Sequence, residues 1–231
     1  MKVRFPLALC AALWMCQAQA VPVTLTKLSG ITGGSPAATA VYKADLSTVG
    51  IASLLSITIT DNSGGVGGAP GRFSGFDLDA IKLSTTDCAD AACAAGAVGL
   101  SLFDFIAGTA FTPGMQRPPV DAKLFGTDAT GTAVDDAVAT LGAFDGDSTT
   151  VTPDGFLSMG DTGKISFNLT GAASTSGLFL YIGEVGDNGE VAASNIDVRD
   201  SRTVPEPATA ALLVFGLLGW TLGRRKMGAP D

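Results

Sequence analysis

Lys164-Ile165-Ser166-Phe167-Asn168-Leu169 alternates polar and apolar residues without a break. A period of two puts Ile165, Phe167 and Leu169 on one face of an extended chain and Ser166 and Asn168 on the other. The stretch therefore predicts a half-buried β-strand. Moving outward, Leu55, Ile57 and Ile59 alternate with Ser56, Thr58 and Thr60 in the same way. Ile196 and Val198 do so between Asn195, Asp197 and Arg199. In residues 76–83 the phase slips, since Phe76 and Leu78 share one face and Ile81 and Leu83 the other. A bulge near Ala80, or burial of both faces, accounts for such a slip. Residues 178–182 are apolar throughout, the pattern of a central strand covered on both sides. Further strands are expected at 23–28, 41–46, 98–105 and 155–159. Residues 134–141 read as a strand too, although their alanines also allow a short helix.

Gly, Pro, Asn and Asp clusters punctuate these runs at 61–71, 112–119, 126–131, 145–154 and 186–189. About ten short strands with such turns predict an all-β fold, a single β-sandwich, with the jelly roll among its topologies. No repeat of solenoid length is visible. The length of 231 residues fits one domain with extensions, at roughly 150 residues per domain.

The two ends have a different character. Lys2 and Arg4 precede an apolar run from Phe5 to Cys16, and Ala18-Gln19-Ala20 supplies small residues at the two positions a signal peptidase inspects. Residues 1–20 thus read as a secretory signal peptide, with the Sec translocon and signal peptidase as partners and Ala18 and Ala20 at the cleavage site. At the other end, residues 208–222 hold no charge and Arg224-Arg225-Lys226 follows at once. As a helix this run spans about 22 Å, short for a hydrocarbon core of roughly 30 Å, so its flanks must snorkel or the bilayer thin. The basic triplet stays cytoplasmic and the chain before residue 205 lies outside. Pro205-Glu206-Pro207 holds the backbone extended just ahead of the helix.

Pro-Glu-Pro, a short apolar helix and an arginine-rich end, in that order and with a signal peptide at the other terminus, resemble the PEP-CTERM sorting signal of exosortase substrates. The resemblance covers residues 204–226, about a tenth of the chain, and the tail read with it is 204–231. Met227–Asp231, after the basic run, is a small departure. The resemblance implies Sec export, transient retention in the inner membrane through the helix, and removal of the tail by exosortase at a signal built from Pro205, Glu206, Pro207, Arg224, Arg225 and Lys226. It further implies a Gram-negative host that makes exopolysaccharide, with the product on the cell surface or in the extracellular matrix.

Residues 21–203 are the expected exported domain. The whole chain carries 14 basic and 22 acidic residues. Five of the basic residues but only two acids lie in the ends, so the domain is left at −11. Such acidity argues against a nucleic-acid partner. Eighteen of its 20 acids are Asp, which favours turns and caps over helix interiors. Cys10 and Cys16 leave with the signal peptide. Cys88 and Cys93 remain, an even count that in an exported chain predicts a disulfide pinning one loop.

The chain has no His, which removes Ser–His–Asp and Cys–His catalysis and His-ligated zinc. Asp161-Thr162-Gly163 matches one half of an aspartic-protease pair, but there is one copy and the enzyme needs two. A turn is the better reading. Residues 64–71 (GGVGGAPG) lack the Gly-Lys-Ser/Thr of a phosphate loop and read as a flexible loop. Asn168-Leu169-Thr170 fits a glycosylation sequon on a strand, where a glycan is not expected. Two acidic turns offer the oxygen donors of a structural calcium site: Asp145, Asp147 and Asp154 in one, Glu184, Asp187 and Asn188 in the other. The first begins like an EF-hand but has Thr150 where Gly is required and Phe156 where the bidentate Glu belongs. An irregular site at the rim of the sandwich is the form left open.

Tyr42 and Tyr181 are the domain's only non-Phe aromatics, which gives a lectin face little support. The expected function is a non-enzymatic surface or matrix protein associated with exopolysaccharide. The alternative is a secreted polysaccharide hydrolase, with Glu184 and Glu190 as the least arbitrary carboxyl pair. The two glutamates are expected to flank a solvent-exposed hairpin.

Overall fold

The structure, a computed structural model, describes residues 20–149 and 151–203. The signal-peptide residues before Ala20, including Ala18, and the tail from 204, with Pro205, Glu206, Pro207, the apolar run 208–222, Arg224, Arg225 and Lys226, lie outside the described residues.

Two five-stranded sheets face each other, and every strand pair is antiparallel. The first sheet runs β1 (Ala20–Pro22), β10 (Asn195–Arg199), β4 (Ser53–Thr60), β8 (Lys164–Ser174) and β6 (Thr109–Thr112). The second runs β2 (Thr26–Lys27), β3 (Thr39–Asp45), β9 (Phe179–Val185), β5 (Asp77–Ser84) and β7 (Leu157–Ser158). Set aside the edge strands β2 and β6, and the remaining eight nest as one long hairpin. β1 pairs with β10, β3 with β9, β4 with β8 and β5 with β7, successive pairs falling in alternate sheets. Pairing of β10 with β4 and of β9 with β5 then closes each sheet. That is jelly-roll connectivity.

The strand over 164–169 takes the expected phase, with Ile165, Phe167 and Leu169 buried between the sheets. They meet Leu54, Ile57, Ile59, Ile196 and Val198 of the same sheet and Leu78, Ile81, Leu83, Leu180 and Ile182 of the other. The register of β4 on β8 shifts between Leu54 and Ser56. This bulge puts Leu54 in the core beside Ile57 and leaves Leu55 half-buried, against the expectation of strict alternation from Leu55. For 76–83 both explanations of the phase slip apply. The register of β5 on β9 shifts between Leu78 and Ile81, and the outer face is covered as well. There Ala80, Val41 and Tyr181 pack with Ala91, Ala94 and Phe144 in a second apolar cluster.

That cover comes from the cysteine loop. Cys88 and Cys93 are joined, with Cα atoms 5.5 Å apart, and the loop starts helix α1 (Ala91–Gly96), which Asp90 caps by accepting from the Cys93 N–H at 2.7 Å. Buried Tyr181 donates its hydroxyl to the Thr86 carbonyl and accepts from the Cys88 N–H.

Four strand expectations change, one of them at 155–159, which contributes only the two residues of β7. Residues 134–141 take the helical option, as α2 (Asp136–Ala139) behind an Asp135 cap. Residues 98–105 form no strand; the Asp104 carboxylate accepts from the N–H groups of Ile106 and Ala107 and turns the chain there. Their apolar side chains Leu100, Leu102, Phe103 and Phe105 still pack on the core. The 23–28 stretch contributes only the two residues of β2.

Candidate functional site

On β9, Leu180 and Ile182 point into the core, and the same phase carries Glu184 inward two residues later. Glu184 is fully buried. The chain then turns through Gly186, Asp187 and Gly189, all at positive φ, into helix α3 (Glu190–Ala193). The turn sends Glu190 back towards β5, where its Oε2 accepts from the Asp77 N–H at 3.2 Å. Glu184 Oε1 accepts from the Asn188 N–H at 2.9 Å. Asp77 accepts from the Ser158 hydroxyl across the β5–β7 pair. Three carboxyls from two neighbouring strands and one short helix are thus gathered at one end of the sandwich.

The glycine-rich loop covers them. A Cβ on Gly68 would fall 2.5 Å from Glu190 Oε1 and 2.8 Å from Arg117 Nη2, and one on Gly67 would meet Asn188 and Glu190 Cγ. The loop was expected to be loose, but side-chain-free residues are what this close approach requires. Arg117 Nη1 donates to the carbonyls of Gly65 and Gly67, and its Nε lies 3.4 Å from Asp161 Oδ1.

Burial, more than any partner, sets the protonation of this end. It pushes Asp77 well above the ordinary carboxyl range; Glu190 pushes the same way and the Ser158 hydroxyl opposes it. Burial likewise raises Glu190 to about 8, against the Asp77 N–H and with Glu184 and Asp61 adding. Glu184 rises to about 7 by burial, against the Asn188 N–H. On the outer face of β5, buried Asp79 also rises to about 7, despite bonds from the Thr39 hydroxyl and the N–H groups of Asp145 and Gly146. Glu184 Oε2 and Glu190 Oε1 are buried without a hydrogen-bond partner among the described residues. Asp77 borders a cavity of about 280 Å³ lined also by Phe73, Phe156, Ser148 and Asn188. Chemically, this end favours the protonated carboxyls over their ions.

The expectation of an exposed hairpin between Glu184 and Glu190 is therefore corrected. Both are interior, because the inward phase of β9 continues through Glu184 and α3 folds back over it. Asp187 is half-exposed and ion-paired with Lys27. In the other acidic turn, Asp147 and Asp154 exchange backbone hydrogen bonds. The carboxylates are each engaged locally: Asp145 with the Thr140 hydroxyl, Asp147 with the Thr149 N–H and Asp154 with the Gly155 N–H. The two turns are neighbours, since Ser148 and Asn188 line the same cavity. Among the described residues, no three Asp, Glu or Cys side chains group as a metal set. Asp161-Thr162-Gly163 is a turn, with Thr162 at φ 67° and its N–H on Asp61. Ala20 opens β1 opposite Arg199.

Sequence reasoning missed Asp77, Asp79 and Arg117. The signal for the first two was present, as carboxylates set inside the apolar strand Phe76-Asp77-Leu78-Asp79-Ala80-Ile81.

After β10 the chain continues through Thr203 into the proline-flanked strip. Residues 203–226 match the PEP-CTERM protein-sorting motif. The chain carries a PEP-CTERM signal, and with it the mark of an exported protein that crosses the membrane and is processed by exosortase. No curated protein and no solved structure matches the chain.

Proposed function

We propose that this PEP-CTERM protein is a non-enzymatic jelly-roll domain that is delivered to the cell surface or extracellular matrix of a Gram-negative bacterium and associates there with exopolysaccharide. The observation that carries the reading is the match of residues 203–226 to the sorting motif, shortly after the last strand of the sandwich. On this reading Sec exports the chain, signal peptidase cuts after Ala20, the 208–222 helix parks it in the inner membrane, and exosortase removes the tail. Replacing Pro205, Glu206 and Pro207 with Ala should leave the protein in the membrane fraction with its tail attached. Release at the wild-type rate would overturn the sorting reading.

A hydrolase is the second reading, and one observation favours it. Asp77 borders a cavity, and burial pushes its carboxyl well above the ordinary range, the direction a general acid needs. Against it, Glu184 and Glu190 are interior, so no second carboxyl of the expected pair faces an open cleft. A glycan array probed with the released protein separates the readings. The matrix reading expects retention of intact polysaccharide, and hydrolysis that disappears in Asp77→Asn would establish the enzyme.

A further inference from the structure

We infer that the contact of residues 201–203 with the outer face of the first sheet times the processing of the tail, so that exosortase takes the strip only after this contact opens. The inference rests on the sorting reading above. After Arg199 the chain does not leave the body but crosses the face of the sheet opposite to the core. The Ser201 carbonyl accepts from the Ser56 hydroxyl at 2.7 Å. The N–H and hydroxyl of Thr203 both donate to Asn168 Oδ1, at 2.8 and 3.0 Å, and Asn168 Nδ2 donates to the Thr203 carbonyl at 3.0 Å. Arg202 Nη2 reaches the carbonyls of Leu169 and Thr170. One side-chain amide thus engages both backbone groups of a single residue, as a neighbouring strand would. It also consumes the nitrogen of the sequon. Ser56 is buried although it faces away from the core, consistent with the crossing chain above it.

Only Val204, Pro205, Glu206 and Pro207 separate this clamp from the apolar run that starts at Ala208. Five Cα steps span at most about 18 Å, comparable to the radius of gyration of roughly 16 Å expected for a domain of this size. A partner that takes an extended segment as an added strand pairs with main-chain groups along its length, and those of Thr203, the first residue of the matched motif, are already engaged. On the sorting reading, which assigns the apolar run from 208 to the bilayer, a Thr203 held on the sheet leaves that length of free main chain missing until residues 201–203 peel away. Short terminal segments held by a few hydrogen bonds open far more often than the whole domain unfolds. Asn168 is then a positioning residue, acting through Thr203.

The test follows tail removal by pulse-chase on the full chain in a host that carries exosortase, with thermal midpoints measured in parallel. Asn168→Ala, which removes all three hydrogen bonds between Asn168 and Thr203, should be processed roughly tenfold faster or more. Asn168→Asp, which keeps the acceptor and loses the donor, should fall between it and wild type. An eight-residue Gly/Ser insertion between Thr203 and Val204 should be processed fast, with Asn168→Ala adding nothing in that background. Should Asn168→Ala misfold, Thr203→Pro removes the same N–H without touching the sheet and should also accelerate processing. Wild-type or slower processing of a folded Asn168 variant, or no gain from the insertion, overturns the inference. Failure of the sorting reading looks different. Wild type and the Pro205/Glu206/Pro207→Ala chain would then be processed alike, whether both released or both retained, and both readings would fall.

Discussion

Asp104 and Asp128 sit in surface turns whose donors converge on their carboxylates, whereas Asp77 and Glu190 sit at the buried end of the sandwich beneath a glycine loop. At the surface, the N–H groups of Ala107 and Ile106 hold Asp104 below its usual range, and the Thr130 hydroxyl does the same for Asp128, helped by the N–H groups of Ala133 and Thr132. Inside, burial leads and like charges add, so Asp77 and Glu190 are pushed up. The functional group is the same and the direction is opposite. Where the chain supplies donors in water, the ion is favoured; where it supplies apolar cover and another acid, the proton is.

The widest break of this contrast is the pH dependence of the whole domain. In the unfolded chain these acids titrate near about 4. In the fold Glu184 and Asp79 lie near 7 and Glu190 near 8. Folding therefore takes up protons between those values, and the stability this contributes is full below about pH 4 and lost as pH rises through 7 to 8. The surface carboxylates act the other way. Their contribution is present above about pH 4 and is lost as pH falls through their lowered folded values. The thermal midpoint should peak in mild acid and fall steeply towards pH 9. The loss amounts to several kcal/mol in all, since each tenfold change in a group's proton affinity is worth roughly 1.4 kcal/mol. Scans of the mature domain across pH 3–9, with and without chelator, read this directly. A midpoint flat from pH 5 to 9, or one lowered by chelator, would mean that a cation rather than protons neutralises the buried end.

Glu190→Gln sharpens the same point to one residue. The amide keeps the shape and an acceptor for the Asp77 N–H while removing the charge. Little change is expected at pH 5, where wild-type Glu190 is already neutral. By pH 9 the variant should be the more stable of the two, by on the order of 3 kcal/mol from the lost proton affinity alone. Should the variant lose stability equally at both pH values, Glu190 is ionised in the fold and its partner lies elsewhere.

The sheets were legible in the sequence because each rests on a period that survives folding. Ile165, Phe167 and Leu169 keep their face in the core, and the phase slip near Ala80, which allowed a bulge or burial of both faces, is accompanied by both. The buried acidic end was not legible. Its position follows from Glu184 continuing the inward phase of β9 past the last apolar residue, and from α3 folding back. Gly, Asp and Asn in the 186–189 turn read locally as solvent signals. The 98–105 stretch failed for the converse reason. Its apolar residues reach the core without a strand, and the Asp104 carboxylate turns the chain at its end by taking the N–H groups of Ile106 and Ala107.

The smallest effect is the surface counterpart, Asp128→Ala. Asp128 Oδ1 gathers the Thr130 hydroxyl and the N–H groups of Thr132 and Ala133, closing the turn in which the Asp128 N–H meets the Ala133 carbonyl. Its removal frees donors that water can satisfy, so the loss at pH 7 should be slight compared with the pH 9 difference of Glu190→Gln. The informative quantity is the sign of its pH dependence. Wild-type Asp128 is stabilised as an ion, so the penalty of the variant should shrink as pH falls below 4 and the wild-type carboxylate takes up its proton. Glu190→Gln should diverge from wild type in the opposite direction, on the alkaline side. A penalty for Asp128→Ala that grows on acidification would show that the turn favours the protonated acid, and the contrast between surface and interior would reduce to burial alone.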